Sequence, residues 1–259
     1  MKRKRNRLRL LLMRRETPAV LGTLLLAAVV LWAVNSPAIV GASATVRKLP
    51  VYCVERDDKC VSLTFDAAWG NEDTQQLIDI LSRYGVRATF FVVGDWVDRY
   101  PESVKALHDA GHEVMNHSLN HAHFTKLSAD EIVADVTACN EKIAAVTGVT
   151  PTLFRAPYGE YDDNVIAAVG AMGMTAIQWD VDSLDWKELS AAEITARVTA
   201  RASPGSIVLF HNAALHTPEA LPGILDHLIQ NGFRIVPVSE LLLTGDYTID
   251  HTGRQQPVR

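Results

Sequence analysis

The chain has 259 residues, of which 48% are hydrophobic and 21% are charged. This is the composition of a globular protein, and it excludes a wholly disordered chain and a collagen-like repeat. Eight of the 25 Lys and Arg residues lie within residues 1–15, so the rest of the chain carries 17 basic and 30 acidic side chains, a net charge of −13. Such an acidic body argues against a nucleic-acid partner, which requires a basic face to neutralise phosphates.

The first part of the chain has the pattern of a membrane anchor. Residues 1–17 form a basic tail, and the most apolar stretch, residues 19–34, has 16 residues. A spanning helix needs about 20 residues, with a lower limit near 17. With its uncharged flanks, this stretch predicts a transmembrane helix over residues 18–40. The basic end is expected to stay in the cytoplasm, so the chain would be a single-pass protein of the cell membrane with its main domain on the extracytoplasmic side.

A cleaved signal peptide is the alternative to a retained anchor. The sequence Ala42-Ser43-Ala44 has the small-residue pattern of a cleavage site. Both interpretations remain open, and in both the rest of the chain is exported from the cytoplasm.

Residues 41–59 are predicted to be a linker with a possible hairpin. In that hairpin Cys53 and Cys60 would face each other, and a disulfide could form outside the membrane. Two unpaired thiols are the equally weighted alternative. Cys139 lies in a helical pattern and is expected to be a small buried hydrophobe.

Strand-like and helix-like segments alternate from Cys60 onward, and residues 60–244 are predicted to form one domain, followed by a C-terminal tail over residues 245–259. Alternation of this kind is typical of βα units around a parallel sheet. It predicts an α/β fold with a closed, slightly short βα barrel. The predicted strands cover residues 61–66, 88–93, 112–115, 174–180, 206–211 and 233–236, and the predicted helices cover 73–84, 101–110, 128–146, 162–172, 191–202 and 218–231.

Polar residues cluster where the predicted strands end. They are Asp66, Asn116, His117, Arg155, Asp180, Asp182 and His211. Because the C-terminal strand ends of a βα barrel form its active site, we expect several of these side chains to meet there.

Each of these residues has more than one interpretation. His117 and His121 are four residues apart and could bind a metal, although such a pair is more often exposed or packed. Asp66 could be a metal ligand, a general base or a helix cap. Arg155 is either a surface cation or the partner of a buried carboxylate. His211 is either a core histidine or a general acid that nearby carboxylates tune.

Taken together, five motifs resemble the NodB-type polysaccharide deacetylases, carbohydrate esterase family 4. The motifs are TFDAAWG (64–70), HSLNH (117–121), RAPYG (155–159), DSLDW (182–186) and LFH (209–211). The resemblance covers Cys60 to about Leu243. It implies a distorted (β/α)7 barrel that removes acetyl groups from N-acetylated sugars with a divalent metal, zinc before cobalt or another transition metal. TFDAAWG and the N-terminal segment also resemble the membrane-anchored, sporulation-associated subgroup.

The resemblance implies a role for each matching residue. Asp66 would be the catalytic base, His211 the catalytic acid, and His117 and His121 the metal ligands. Arg155 would hold Asp66 and Asp185 would tune His211, while Tyr158, Trp186 and Leu209 would line the sugar groove. The metal would polarise the acetamide carbonyl and activate a water, Asp66 would take the proton of that water, and His211 would protonate the leaving amine. The expected substrate is an N-acetylated cell-wall polysaccharide, peptidoglycan first, and no protein partner is inferred.

One departure bears on this expectation. The family's first motif reads TFDD, and its second Asp is a metal ligand, whereas this chain has Ala67. Asn71, Glu72, Asp73 and His123 are possible substitutes, although a polar loop is the more ordinary interpretation. A milder departure is Asn212, where the family often has Asp. The alternative function is therefore a glycan-binding pseudoenzyme with an incomplete metal site, and a non-sugar N-acyl substrate is a third possibility.

Overall fold

The computed structural model describes residues 22–32 and 47–258. The chain divides into two compact units, Met1–Arg47 and Lys48–Arg259. In the first unit, residues 22–32 form a helix with exposed side chains. Within the described ranges, no helix combines the length and the apolar character needed to cross a membrane, so they do not support the transmembrane helix predicted over 18–40. The basic tail and Ala42-Ser43-Ala44 lie outside the described residues.

The second unit contains eleven strands and eight α-helices among its described residues. The strands are β1 (Cys53–Val54), β2 (Cys60–Ala67), β3 (Thr89–Val92), β4 (Glu113–Asn116), β5 (Leu153–Phe154), β6 (Thr175–Ala176), β7 (Val181–Asp182), β8 (Ile207–His211), β9 (Arg234–Ile235), β10 (Tyr247–Ile249) and β11 (Arg254–Pro257). The helices are α1 (Thr74–Arg83), α2 (Gly94–Arg99), α3 (Pro101–Asp109), α4 (Ala129–Thr147), α5 (Asp163–Ala171), α6 (Ala191–Thr199), α7 (Thr217–Gln230) and α8 (Val238–Leu241).

The main sheet is a half-barrel of parallel strands. Its hydrogen-bonded order is β6-β5-β4-β3-β2-β8-β7, and β9 pairs with β2. Helices separate most successive strands, so the predicted α/β alternation is confirmed. The helix α4 begins with a capping box, in which Ser128 and Glu131 each bond the other's backbone N–H.

Strand β2 lies near the middle of this sheet and presents different residues to its two faces. Val61, Leu63, Phe65 and Ala67 belong to the main apolar cluster, which also contains buried residues of α1 and α7. Phe65 stacks on Phe90 and Phe210 at ring-centroid distances of 4.8 and 5.3 Å. Because successive side chains of a strand point to opposite faces, the alternate residue Asp66 is directed to the other side of the sheet.

The expected closed barrel is wrong in one respect, because the hydrogen-bonded path ends at β6 and β7. The strand predicted over 174–180 is reduced to the two residues of β6. Beyond it, the Gln178 N–H donates to the Val51 carbonyl, and the Asp180 carboxylate accepts from the Ser206 hydroxyl and the Ile207 N–H. The Asp180 side chain and the segment around Val51 therefore make hydrogen bonds to the backbone that a longer strand β6 would have made.

Parts of residues 41–59 and 245–259 form a second small sheet in place of the possible hairpin. Strand β1 pairs in parallel with β11, which pairs in antiparallel fashion with β10. Cys53 therefore lies opposite Arg254, whereas Cys60 begins β2 and donates its thiol to the Asp58 carboxylate. Both cysteines are free thiols, which is the second of the two alternatives left open by the sequence. Cys139 is buried, as expected.

Gly205 joins this small sheet to β2. Its N–H donates to the Cys60 carbonyl at 2.7 Å, and its carbonyl accepts from the Val54 N–H at 2.9 Å. Its φ is +84°, and a Cβ atom at this position would lie 1.7 Å from the Val54 carbonyl oxygen. Two constraints therefore require glycine here, the backbone conformation and the close approach of a second backbone.

Replacing Gly205 by Ala should destabilise the fold more than replacing Gly173 by Ala. Gly173 also has a positive φ, +73°, but a Cβ atom there would meet no other atom of the described chain within 4 Å. The Gly173 variant should lose about 1–2 kcal/mol for the left-handed backbone, whereas the Gly205 variant should lose about 1–3 kcal/mol more for overpacking. Urea denaturation measures both, and equal losses would contradict the role assigned to the backbone contact.

Candidate active site

Asp66 and Arg155 form an ion pair below the C-terminal ends of the strands. Arg155 follows β5 and has 0% exposure. Its Nη1 donates to Asp66 Oδ1 at 2.7 Å and to Thr64 Oγ1 at 2.9 Å, and its Nη2 donates to the Gln178 carbonyl at 3.1 Å. The guanidinium also lies 4.1 Å from the centroid of the Phe91 ring. Arg155 is therefore the partner of a buried carboxylate rather than a surface cation.

The charge around Asp66 keeps its carboxyl group ionised. Burial raises the pKa of Asp66, but the positive charge of Arg155, followed by the electrostatic interactions with His117 and His211, outweighs burial, so the pKa lies below its ordinary value. Asp66 Oδ2 lies 3.6 Å from His117 Nε2. The carboxylate thus has one oxygen fixed by Arg155 and a second oxygen next to the histidine pair.

His117 and His121 lie together in the loop that follows β4. His117 Nδ1 donates to the Arg155 carbonyl at 2.8 Å, which leaves Nε2 as the nitrogen with a lone pair, the tautomer suited to a metal ligand. The two imidazole centroids are 5.2 Å apart. Burial lowers the pKa of His117, and burial followed by the charge of His117 lowers the pKa of His121 to about 4. Both rings are therefore neutral at neutral pH and able to ligate a metal.

His211 at the end of β8 is held by Asp185. Asp185 Oδ1 accepts from His211 Nδ1, while Oδ2 accepts from the His211 backbone N–H and from Thr217 Oγ1, all at 2.8 Å. Burial lowers the pKa of His211, but the hydrogen bond and charge of Asp185, with smaller contributions from Asp66 and Asp182, raise it overall above its ordinary value. The imidazole is thus poised to carry a proton at higher pH than a free histidine.

These groups line one pocket of about 500 Å3. Asp66, His117, His121 and His211 all reach it, and so do the predicted groove residues Tyr158, Trp186 and Leu209. Tyr158 has a φ of +59°, a conformation that costs energy for a residue with a side chain. Two other polar residues predicted at strand ends do not line this pocket. Asp180 bonds the backbone of β8, and Asn116 is buried with its amide donating to the Val136 carbonyl.

The known proteins that resemble this chain in sequence and in structure belong to one family. The family model described as polysaccharide deacetylase matches residues 54–177. The peptidoglycan-N-acetylmuramic acid deacetylase PdaC of Bacillus subtilis is 35% identical over 73% of this chain and 40% of its own length. The peptidoglycan-N-acetylglucosamine deacetylase PgdA of Listeria monocytogenes is 35% identical over 75% of this chain and 41% of its own length. The crystal structure of wild-type BA3943 from Bacillus anthracis, a CE4 family pseudoenzyme, has a TM-score of 0.72 and 35% identity over 74% of this chain and 68% of that one.

The chain belongs to the polysaccharide deacetylase family. This is a family of hydrolases, and membership confirms the resemblance inferred from the five motifs. The matching region spans less than half the length of PdaC and of PgdA.

Ala67 lies at the position where the resemblance implies a metal-ligating Asp. Its side chain is 1% exposed and belongs to the main apolar cluster, and the neighbouring Ala68 lines the pocket instead. Among the described residues, no group of three His, Cys, Asp or Glu side chains is arranged to hold a metal ion.

The four possible substitutes for the missing ligand have other surroundings. Asn71 donates to Ser103 Oγ, Asp73 accepts from the Ala213 N–H, and His123 bonds Glu160 while stacking on Tyr158 at 4.4 Å. Glu72 is exposed. None of the four lines the pocket.

Several residues of the site were not singled out from the sequence. Trp69 and Trp179 line the pocket, and Thr217 bonds Asp185. Trp69 lies inside the TFDAAWG motif, so that motif could have indicated it. Thr217 and Asp185 are 32 residues apart, and no local pattern connects them.

Replacing Asp185 by Asn should lower the pKa of His211. The substitution removes the negative charge that raises this pKa, while burial, which lowers it, remains. His211 should therefore lose its proton at lower pH than in the wild type. NMR titration of the imidazole in the full-length chain measures this shift. Asp182→Asn is the matched control, because Asp182 makes the smallest of the contributions to the pKa of His211, and equal shifts in the two variants would contradict the assignment.

Proposed function

We propose that the second unit hydrolyses the N-acetyl group of an N-acetylated cell-wall polysaccharide, with peptidoglycan as the leading candidate substrate. The observation that carries this proposal is the meeting of two separately held ionisable pairs, Asp66–Arg155 and His211–Asp185, at one pocket. One pair favours an anion and the other a cation at neutral pH, as a base and an acid require. PdaC and PgdA, whose names place their substrates in peptidoglycan, support the choice of glycan.

His117 and His121 fit a divalent metal that takes nitrogen ligands, and zinc is the leading candidate. His117 and His121 are neutral, and the hydrogen bond from His117 Nδ1 to the Arg155 carbonyl orients Nε2 as a ligand atom. When bound there, the metal would polarise the acetamide carbonyl and lower the pKa of a water molecule. With no Asp at position 67, we expect this binding to be weak.

The protein's own residues then transfer the protons and stabilise the negative charge that develops on the carbonyl oxygen. Asp66 accepts the proton of the attacking water, and Arg155 fixes the orientation of that carboxylate. The backbone N–H of Tyr158 stabilises the oxyanion that forms on the carbonyl. Protonated His211 donates its proton to the amine nitrogen as the C–N bond breaks, and Asp185 keeps that proton in place until then. Tyr158, Trp186 and Leu209 provide the apolar walls for the sugar.

A glycan-binding pseudoenzyme is the second candidate. Ala67 favours it, because two imidazoles without a carboxylate bind a metal less tightly. BA3943 is a pseudoenzyme, and a mutant of it with restored enzymatic activity is 36% identical to this chain. The retained base, acid and histidine pair favour the enzyme instead, since a binding module has no evident need for all of them.

Replacing Asp66 by Asn or His211 by Ala should each reduce acetate release by at least about 100-fold, the ordinary contribution of a general base or acid. Acetate release from peptidoglycan and from N-acetylglucosamine oligomers, with zinc added, measures the loss, and circular dichroism checks that each variant is folded. Near-wild-type activity in either variant would show that its residue does not have the proposed role. A wild-type protein that binds these glycans but releases no acetate would favour the pseudoenzyme.

Replacing Ala67 by Asp should tighten zinc binding. Changes around metal ligands alone alter affinity by about 10–100-fold, so an added carboxylate ligand should gain at least about 10-fold. The carboxylate must turn from the apolar side of β2 across the strand end, and Ala67→Asn, of equal size but uncharged, controls for that change. Calorimetric titration with zinc measures the affinities. Tight binding by the wild type with no gain in the Ala67→Asp variant would mean that another group completes the site.

We also infer that residues 18–40 hold the chain at the cell membrane, with the second unit on the extracytoplasmic side. We further infer that the chain belongs to the sporulation-associated subgroup. The support is the basic tail followed by an uncharged run and, for the subgroup, the TFDAAWG motif. The full-length chain should sediment with membranes after an alkaline wash, and external protease should digest the second unit in intact spheroplasts. Full-length protein in the cytosolic fraction would contradict this location.

A further inference from the structure

The two histidines of the candidate metal site are held in different ways. His117 extends β4, because its N–H donates to the Val92 carbonyl at 3.0 Å, and its ring is fixed by the bond from Nδ1 to the Arg155 carbonyl at 2.8 Å. The ring of His121 meets other rings edge-on, at centroid distances of 4.5, 5.0 and 5.2 Å, and forms no hydrogen bond with the described residues. The position of the His121 ring therefore depends on the backbone that carries it.

The backbone between the two histidines is strained. Ser118 has a φ of +77° and His121 a φ of +60°, the left-handed conformation that costs energy for a residue with a side chain. Ser118 Oγ accepts the His121 N–H at 2.9 Å and so ties the two strained residues together. A strained loop keeps its shape only where the surrounding structure holds it.

Two neighbouring helices hold this loop. At the start of α2, the Gly94 N–H donates to the Ser118 carbonyl at 2.9 Å. The Asp95 N–H donates to the Leu119 carbonyl at the same distance. From α4, Asp135 Oδ1 accepts the Leu119 N–H at 2.8 Å. Both backbone polar groups of Leu119, which lies midway between the histidines, thus have a partner on another element.

Asn116 connects the beginning of the loop to the same helix α4. Its Oδ1 accepts the Ser118 N–H at 2.7 Å. Its Nδ2 donates to the Val136 carbonyl at 2.9 Å and to Asn140 Oδ1 at 2.8 Å. Helix α4 therefore supports the loop at two points, through Asn116 at its beginning and through Asp135 at its middle.

We propose that Asp135 is a positioning residue, which holds the loop between His117 and His121 so that the two imidazoles keep the spacing that a shared metal ion needs. This inference rests on the proposed function, and it deepens it by naming a group outside the pocket on which metal binding depends. Asp135 does not line the pocket, so it acts through the Leu119 backbone. Because Ala67 supplies no ligand atom, an error in the spacing of the two imidazoles is not compensated by a carboxylate at that position.

The test is calorimetric titration of the full-length chain in detergent with zinc. Asp135→Ala should weaken zinc binding by about 10-fold, since changes in the groups that orient metal ligands commonly alter affinity by about 10–100-fold. Asp135→Asn should retain most of the wild-type affinity, because its amide oxygen can accept the same Leu119 N–H. Asp135→Leu also lacks the acceptor, and it replaces Asp135→Ala if that variant does not fold.

Glu131→Ala is the matched control. Glu131 lies one turn earlier on α4, and its carboxylate accepts the Ser128 N–H at 2.8 Å, the distance at which Asp135 accepts the Leu119 N–H. Each Ala variant loses one carboxylate and one hydrogen bond to a backbone N–H, and Ala favours a helix in both. Urea denaturation without zinc should show losses of similar size, whereas Glu131→Ala should bind zinc like the wild type.

The outcomes separate this inference from the proposed function. Equal zinc affinity of the wild type and Asp135→Ala overturns the inference, while acetate release by the wild type would still support the function. Weaker zinc binding in Asp135→Ala alone, in a wild-type protein that releases no acetate, supports the positioning role and contradicts the function. Equal weakening in Asp135→Ala and Glu131→Ala, loss of affinity in Asp135→Asn as large as in Asp135→Ala, or no zinc binding by the wild type also overturns the inference.

Discussion

The buried ion pair between Arg155 and Asp66 is the interaction on which the rest of the site depends. The guanidinium joins β2, through Thr64 and Asp66, to the segment around Gln178, and so ties together two distant parts of the half-barrel. The carbonyl of the same Arg155 accepts the Nδ1 proton of His117 and thereby selects its tautomer. Removing either charge would leave the other buried without a partner, which commonly costs about 3–5 kcal/mol. Arg155 therefore favours the ionised form of Asp66 and fixes the orientation of His117.

The second pair, His211 and Asp185, is built from separate elements. It raises the pKa of His211, whereas the first pair lowers the pKa of Asp66. His211 lies at the end of β8, Asp185 lies in the loop after β7, and Thr217 begins α7. The pKa of Asp66 is lowered and that of His211 is raised, for the reasons of charge given above. The pocket therefore favours the carboxylate form of Asp66 and the protonated form of His211 more than water would. The pairs differ because a permanent cation faces the first group and a carboxylate faces the second.

Two departures from the family pattern have different consequences in this fold. Ala67 removes a ligand atom and gives the main apolar cluster one more small side chain. Asn212 instead contributes three hydrogen bonds that fix the loop of Ala68, Trp69 and Gly70. The same short region thus lacks a carboxylate at position 67 and presents the Trp69 ring to the pocket.

The sequence by itself determined the alternation of strands and helices, the polar residues at strand ends and the family. These features are local: a strand or a capped helix such as α4 is encoded by its own residues, and each motif is a short run. Only the tertiary structure decided the rest. Asp185 and Thr217 meet, and Asn212 reaches Trp69, because the parallel strands bring the loops at their C-terminal ends together. Strand β1 pairs with β11 across some 200 residues of chain, while β2 pairs with β3 and β8, so the possible hairpin of Cys53 and Cys60 does not form.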